Sequence, residues 1–210
     1  MQPDSAGSAG TLIAILRGVT PGRALAVART LYEAGIRAIE VPLNSPEPFA
    51  SIVALSEGLP DDCQVGAGTV LDAEQVARTH AAGGRLVVAP NCDAAVIRAA
   101  IDRGMRVMPG VGTATEAFAA LRAGATELKL FPAVSYGPQH LQALRSVLPA
   151  SVAVYPVGGV AVEALAQWRA AGATGFGFGS ELFRPEYELA DIARRAARVV
   201  AAFQDTYRNR

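Results

Sequence analysis

Short apolar segments alternate with amphipathic, alanine-rich stretches along almost the whole chain. The apolar segments Leu12–Arg17, Ala38–Leu43, Gln64–Val70, Leu86–Pro90, Arg106–Gly110, Glu127–Phe131, Val152–Val157 and Thr174–Gly179 read as strands. The stretches between them, Arg23–Ala34, Ala73–Ala82, Ala94–Arg103, Ala114–Ala123, Pro138–Leu148 and Val162–Ala171, predict helices. Several run into a glycine (Gly35, Gly83, Gly104, Gly124, Gly172), the residue that helix C-termini favour. Thr20-Pro21 predicts the start of the first helix, with Thr as N-cap and Pro at its first position. Strands alternating with helices of this length imply βαβ units and a parallel sheet. Eight such strands fit a closed (β/α)₈ barrel, a TIM barrel in one domain, better than an open sheet. A doubly wound sheet would want GxGxxG after its first strand, and Leu16-Arg17-Gly18-Val19-Thr20 does not supply it. Met1–Gly10 carries no such pattern and reads as a flexible tail before a barrel domain of residues 11–210.

Composition narrows the partners. At 51% hydrophobic and 18% charged residues the chain is far from the profile of disordered sequences. Basic and acidic residues balance at 19 each, and the nearest thing to a basic patch, Arg194-Arg195 with Arg198, reads as the solvated face of a late helix. Nucleic-acid and membrane partners are therefore not expected. Cys63 and Cys92 form no CxxC pattern, which suggests a reducing compartment. Neither a signal peptide nor an apolar run of ~18 residues is visible, so the expected location is the cytoplasm.

Lys129 is the only lysine among the 19 basic residues. A genome biased toward arginine codons accounts for the scarcity but not for the position. Lys129 lies in Leu128-Lys129-Leu130-Phe131-Pro132, which reads as a buried strand; the alternative is a surface lysine on an edge strand. Burial would strip water from the amine, lower its pKa and supply a neutral nucleophile.

Active sites of this fold lie at the C-terminal ends of the strands. The polar residues expected there are Arg17, Glu40, Asn44, Thr69, Asn91, Lys129 and Ser180. Strand side chains alternate between barrel interior and helix layer. Glu40 opposes Ile39 and Val41, and Lys129 opposes Leu128 and Leu130, so both should point inward as base and nucleophile. Glu40 could instead form a structural ion pair with Arg17 or Lys129. Arg17 suits bidentate capture of a carboxylate, or else closes the barrel end with a salt bridge. Val157-Gly158-Gly159-Val160 and Phe178-Gly179-Ser180 follow the seventh and eighth strands, where barrels commonly hold a phosphate on backbone N–H groups. Gly66-Ala67-Gly68-Thr69 leaves room at the end of the third strand and offers a hydroxyl. His80 and His140 fall in helical stretches, and no cluster of His, Asp and Glu suggests a metal.

With these residues in place, the chain resembles the 2-keto-3-deoxy-6-phosphogluconate aldolase family. The likeness runs from about Leu12 to Phe183 and rests on Ile13-Ala14-Ile15-Leu16-Arg17-Gly18, Glu40-Val41-Pro42-Leu43-Asn44-Ser45-Pro46, Val65-Gly66-Ala67-Gly68-Thr69-Val70, Lys129-Leu130-Phe131-Pro132 and Val157-Gly158-Gly159-Val160. The resemblance implies class I chemistry on a small barrel. It puts the Schiff-base lysine on Lys129, the acid/base glutamate on Glu40, and substrate contacts on Arg17, Thr69, Gly158, Gly159, Gly179 and Ser180. It also implies a homotrimer that needs no metal or organic cofactor and acts on a 2-keto-3-deoxy sugar acid phosphate. The gluconate branch often carries arginine in a pattern like E-V-T-L-R-T, where this chain has Asn44; the likeness is therefore closer to the phosphogalactonate branch. Two other readings remain open: a metal-dependent phosphosugar epimerase on the same barrel, and a non-catalytic barrel that binds a phosphorylated ligand.

Overall fold

The computed structural model describes residues 11–208. The tail expected at Met1–Gly10 lies outside them. In chain order the elements are β1 (Leu12–Ile15), α1 (Pro21–Glu33), β2 (Ala38–Pro42), α2 (Pro48–Gly58), β3 (Gln64–Gly68), α3 (Ala73–Ala81), β4 (Leu86–Val88), α4 (Ala94–Ile101), β5 (Arg106–Met108) and β6 (Gly110–Val111). They continue as α5 (Ala114–Arg122), β7 (Glu127–Leu130), α6 (Ala133–Arg145), β8 (Ala153–Pro156), a 3₁₀ turn at Val162–Ala164, α7 (Leu165–Ala170), β9 (Phe176–Phe178) and α8 (Leu189–Arg208).

Every strand pairing is parallel. The strands form a six-stranded sheet in the order β5-β4-β3-β2-β1-β9 and a three-stranded sheet in the order β6-β7-β8. This is an α/β fold with a curled parallel sheet. The single strand expected at Arg106–Gly110 is divided at Pro109, because proline has no N–H to offer a ladder. β5 pairs with β4 and β6 with β7, so the chain changes sheets at that residue. At the other seam Val157 and Gly177 form a lone parallel bridge.

The five glycines expected to end helices all have positive φ, and each cap follows one pattern. At Gly35, for example, the glycine N–H donates to Tyr32 O at 2.9 Å and the next N–H, of Ile36, donates to Leu31 O at 3.1 Å. These two bonds satisfy carbonyls that the helix end would otherwise orphan. Two expectations need correction. Thr20 occupies the N-cap of α1 and Pro21 follows it, but the Thr20 side chain makes no capping bond. Helix α2 was not among the expected segments; its Pro-Phe-Ala-Ser-Ile-Val-Ala-Leu run is apolar on more than one face and carries no clear helical period.

Alternation along the strands sorts the core into two parts. Ile39, Val41, Ala67, Leu128 and Leu130 belong to the large cluster that the helices cover. Ile13, Ala38, Leu86, Val88, Met108 and Tyr155 form a separate cluster on the opposite face of the sheets. The N-terminal end of that inner space is shut by polar residues. Arg106 holds Glu127 by two bonds (Nε to Oε1 2.8 Å, Nη2 to Oε2 2.6 Å) and also donates to Gln64 Oε1 at 2.8 Å and the Tyr155 hydroxyl at 3.1 Å. The C-terminal end of the strands is left for the site.

Candidate active site

Lys129 is the third residue of β7. Its neighbours Leu128 and Leu130 are fully buried against the helices, so alternation turns Lys129 to the inner face, where it is 5% exposed. Its Nζ lies 4.5 Å from the centre of the Phe131 ring. Burial lowers the amine's pKa, and the Arg17 charge acts in the same direction; the Glu40 carboxylate opposes both. Desolvation prevails, so the amine is driven toward its neutral, nucleophilic form.

Glu40, the third residue of β2, is 1% exposed. Its Oε2 is buried without a hydrogen-bond partner. Burial pushes the carboxyl up from 4.5 to about 7, against the pull of Lys129 and Arg17. Among the described residues Glu40 takes part in no ion pair. The structural ion pair with Arg17 or Lys129 considered for Glu40 is therefore not formed. On both members of the pair, desolvation outweighs mutual attraction.

The room for Glu40 comes from the neighbouring strand. A Cβ on Gly68 would stand 1.7 Å from Glu40 Oε2 and 2.4 Å from Oε1. A Cβ on Gly66, which pairs with Glu40 in the ladder, would stand 1.8 Å from Leu86 O. No side chain fits either position. Gly68 thus opens the slot that the carboxyl occupies, and Gly66 lets β3 lie close against β4.

Above these groups a cavity of about 700 Å³ opens at the C-terminal ends of the strands. Arg17, Lys129, Gly158, Gly159, Gly179 and Ser180 all line it, so six of the eight expected site residues share one space. The other two stand apart from its wall. Glu40 is buried outside that lining, close enough for the Lys129 and Arg17 charges to act on its carboxyl. Thr69 follows Gly68 with φ +56°, a left-handed conformation uncommon outside glycine, and does not line the cavity. Asn91 and Asn44 are also absent from the lining, but Asn44 accepts a hydrogen bond from Arg17 (Nη1 to Oδ1, 2.7 Å). Gly158 and Gly159 have successive φ values of +91° and +76°, a turn that only glycine takes at low cost. That turn is tied to α6, whose Val134 N–H donates to Gly158 O at 2.9 Å.

Glu181, Phe183, Arg184 and Pro185 line the same cavity and were not foreseen. They belong to the segment after β9, where neither period continues; the only signal was their proximity in sequence to Gly179-Ser180. Arg23 of α1 pins this segment by donating to Pro185 O and, at 2.7 Å, to Tyr187 O. Among the described residues no group of three or more His, Cys, Asp or Glu side chains is placed to hold a metal ion. His80 lies in α3 and His140 in α6, and the His140 Nε2 is 2.8 Å from Gly112 O.

Comparison with known proteins fits this geometry. Residues 5–196 match the family model described as "Aldolase: KDPG and KHG aldolase". The chain is 49% identical to the 2-dehydro-3-deoxy-6-phosphogalactonate aldolase of Escherichia coli K12 over 92% of this chain and 95% of that one. It is 48% identical to the probable enzyme of that name from Rhizobium meliloti, over 93% and 92%. A solved structure titled "Native KDPGal structure" superposes with a TM-score of 0.92 at 47% identity, over 99% of this chain and 100% of the other.

Proposed function

The chain belongs to the KDPG and KHG aldolase family, and we propose that it cleaves 2-dehydro-3-deoxy-6-phospho-D-galactonate to pyruvate and D-glyceraldehyde 3-phosphate through a Schiff base on Lys129. The observation that carries this reading is a desolvated lysine at the wall of the cavity, near a buried, unpaired carboxyl whose pKa is pushed to about 7.

The neutral Lys129 amine adds to the C2 ketone, and loss of water leaves an iminium. Glu40, ionised, takes the C4 hydroxyl proton through an intervening water, because its carboxyl does not line the cavity. The C3–C4 bond breaks and its electrons enter the iminium as an enamine, while C4 becomes the aldehyde carbon of the departing triose phosphate. Glu40 then returns its proton to C3, and hydrolysis of the imine releases pyruvate and the free amine. A carboxyl that titrates near neutrality both accepts and returns a proton at working pH. Arg17 receives the C1 carboxylate. The glycine turns at Gly158-Gly159 and Gly179-Ser180 hold the phosphate on backbone N–H groups. The family likeness alone assigns Thr69 a substrate contact, since its side chain does not line the cavity.

We read the two sheets as one (β/α)₈ barrel of residues 11–210, a reading supported by the sheet change at Pro109 and the Val157–Gly177 bridge. The family likeness favours a homotrimer, and the two isolated cysteines favour a reducing compartment, the cytoplasm; no described helix is long and apolar enough to cross a membrane. Asn44 and the two phosphogalactonate relatives favour the galactonate over the gluconate epimer.

Two assays test this. Borohydride with pyruvate should reduce a single adduct onto Lys129, and Lys129→Arg should abolish it; persistent trapping in Lys129→Arg refutes the nucleophile. Pyruvate release should be faster from the galactonate than from the gluconate substrate. The reverse order overturns the substrate assignment and leaves the aldol mechanism standing.

A further inference from the structure

Arg17 stands two residues beyond the end of β1 with its side chain exposed at the cavity rim. A free arginine of this kind samples many rotamers, and bidentate capture of a carboxylate requires only one. The loop after β2 supplies the restraint. Asn44 Oδ1 accepts from Arg17 Nη1 at 2.7 Å, and the following Ser45, 7% exposed, accepts at Oγ from the Gly18 N–H at 3.0 Å. Consecutive residues of one loop thus grip consecutive residues of the other. The Asn44–Ser45 segment is itself fixed, because the Ser45 N–H donates to Pro42 O at 2.9 Å.

The chemistry of the grip is specific. Among the described residues only one of the five guanidinium donors finds a partner, which leaves the Nε–Nη2 edge for a bidentate one. The amide is neutral, so it orients the guanidinium without cancelling the charge that would attract an anion. An aspartate in its place would compete with the incoming carboxylate. We propose that Asn44 is a positioning residue that sets the Arg17 guanidinium for the substrate carboxylate. This rests on the assignment of Arg17 to the C1 carboxylate made above.

The test uses Asn44→Ala, Asn44→Asp, Arg17→Ala and the double variant Arg17→Ala/Asn44→Ala. The readouts are kcat and KM for cleavage, and the pyruvate concentration that half-saturates borohydride trapping. Asn44→Ala should raise KM and the pyruvate half-saturation together, about three- to tenfold for one lost solvent-exposed hydrogen bond. Its kcat should stay within about twofold, since the carboxylate contact is alike in ground and transition states. Asn44→Asp should raise both constants further than Asn44→Ala, because its charge occupies Arg17. In the Arg17→Ala background, Asn44→Ala should change neither constant by more than about twofold, the mark of a side chain acting through its partner. An Asn44→Ala effect undiminished without Arg17, or no effect where Arg17→Ala has one, overturns the proposal. Arg17→Ala with unaltered KM and pyruvate saturation overturns the carboxylate assignment as well.

Discussion

Replacing Glu40 by Gln removes a carboxyl that the fold holds buried, unpaired and hard to ionise. The carboxyl titrates near 4.5 when hydrated and at about 7 in the folded chain. Between those values the folded state holds a proton that the unfolded state has lost, so wild-type stability falls as pH rises through that window. Above about pH 7 the folded carboxyl ionises and the loss levels off. A separation near 2.5 units corresponds to roughly 3 kcal/mol, of which about 2.5 kcal/mol develops between pH 5 and pH 8. Glutamine keeps the shape but does not titrate. Urea unfolding of both proteins across that range should therefore show Glu40→Gln gaining about 2–3 kcal/mol relative to wild type as pH rises, roughly 4–12 °C in Tm for a chain of this length. The same substitution should leave pyruvate trapping partly intact and slow cleavage by about 10²–10⁴-fold, the usual contribution of a general base. Opposite signs in stability and activity would mark a group kept for chemistry at a cost to the fold. A stability difference that is flat with pH refutes the raised pKa. A difference that moves against the glutamine variant would mean that Lys129 and Arg17 stabilise the carboxylate more than burial opposes it.

Two further outcomes test the architecture around that group. Gly68→Ala should push the Glu40 carboxyl out of its slot, since the new Cβ would stand 1.7 Å from Oε2; cleavage should fall by at least about 10²-fold while trapping at Lys129 survives. Unchanged kcat in Gly68→Ala would detach Glu40 from the reaction. Gly179→Val should fold normally, because a Cβ there meets nothing closer than Ile15 Cβ at 3.9 Å, but its methyl groups should crowd the cavity. KM should then rise far more for the phosphorylated substrate than for the same sugar acid without phosphate; equal losses on both would take the phosphate away from this turn.

Much of this arrangement was legible in the chain because it depends on local rules. The period-two alternation around Ile39-Glu40-Val41 and Leu128-Lys129-Leu130 is enough to turn Glu40 and Lys129 to the same inner face. The glycines after the helices specify their own left-handed caps, with no help from distant residues. Other features were hidden because their causes are far apart in sequence. Helix α2 carries apolar residues on more than one face, and only packing decides that Ile52 and Leu55 are buried while Val53 stays exposed. The break at Pro109 depends on which strands claim each half of the segment. Glu181, Arg184 and Pro185 reach the cavity only because the segment after β9 folds over the strand ends and is pinned by Arg23.

The balance of charge at the site was decided by the tertiary structure alone. Sequence could place an amine and a carboxyl in one barrel mouth, but attraction between them and loss of water act in opposite directions on both pKa values. Which prevails depends on how completely water is excluded and on how near the partner stands, and those are properties of the packed strands. The missing side chain at Gly68 allows the Glu40 carboxyl to be enclosed against β3 with no hydrogen-bond partner on Oε2 among the described residues. Residue type and alternation therefore determined which groups face inward; enclosure determined that they stand there as a depressed amine and a reluctant acid, not as an ion pair.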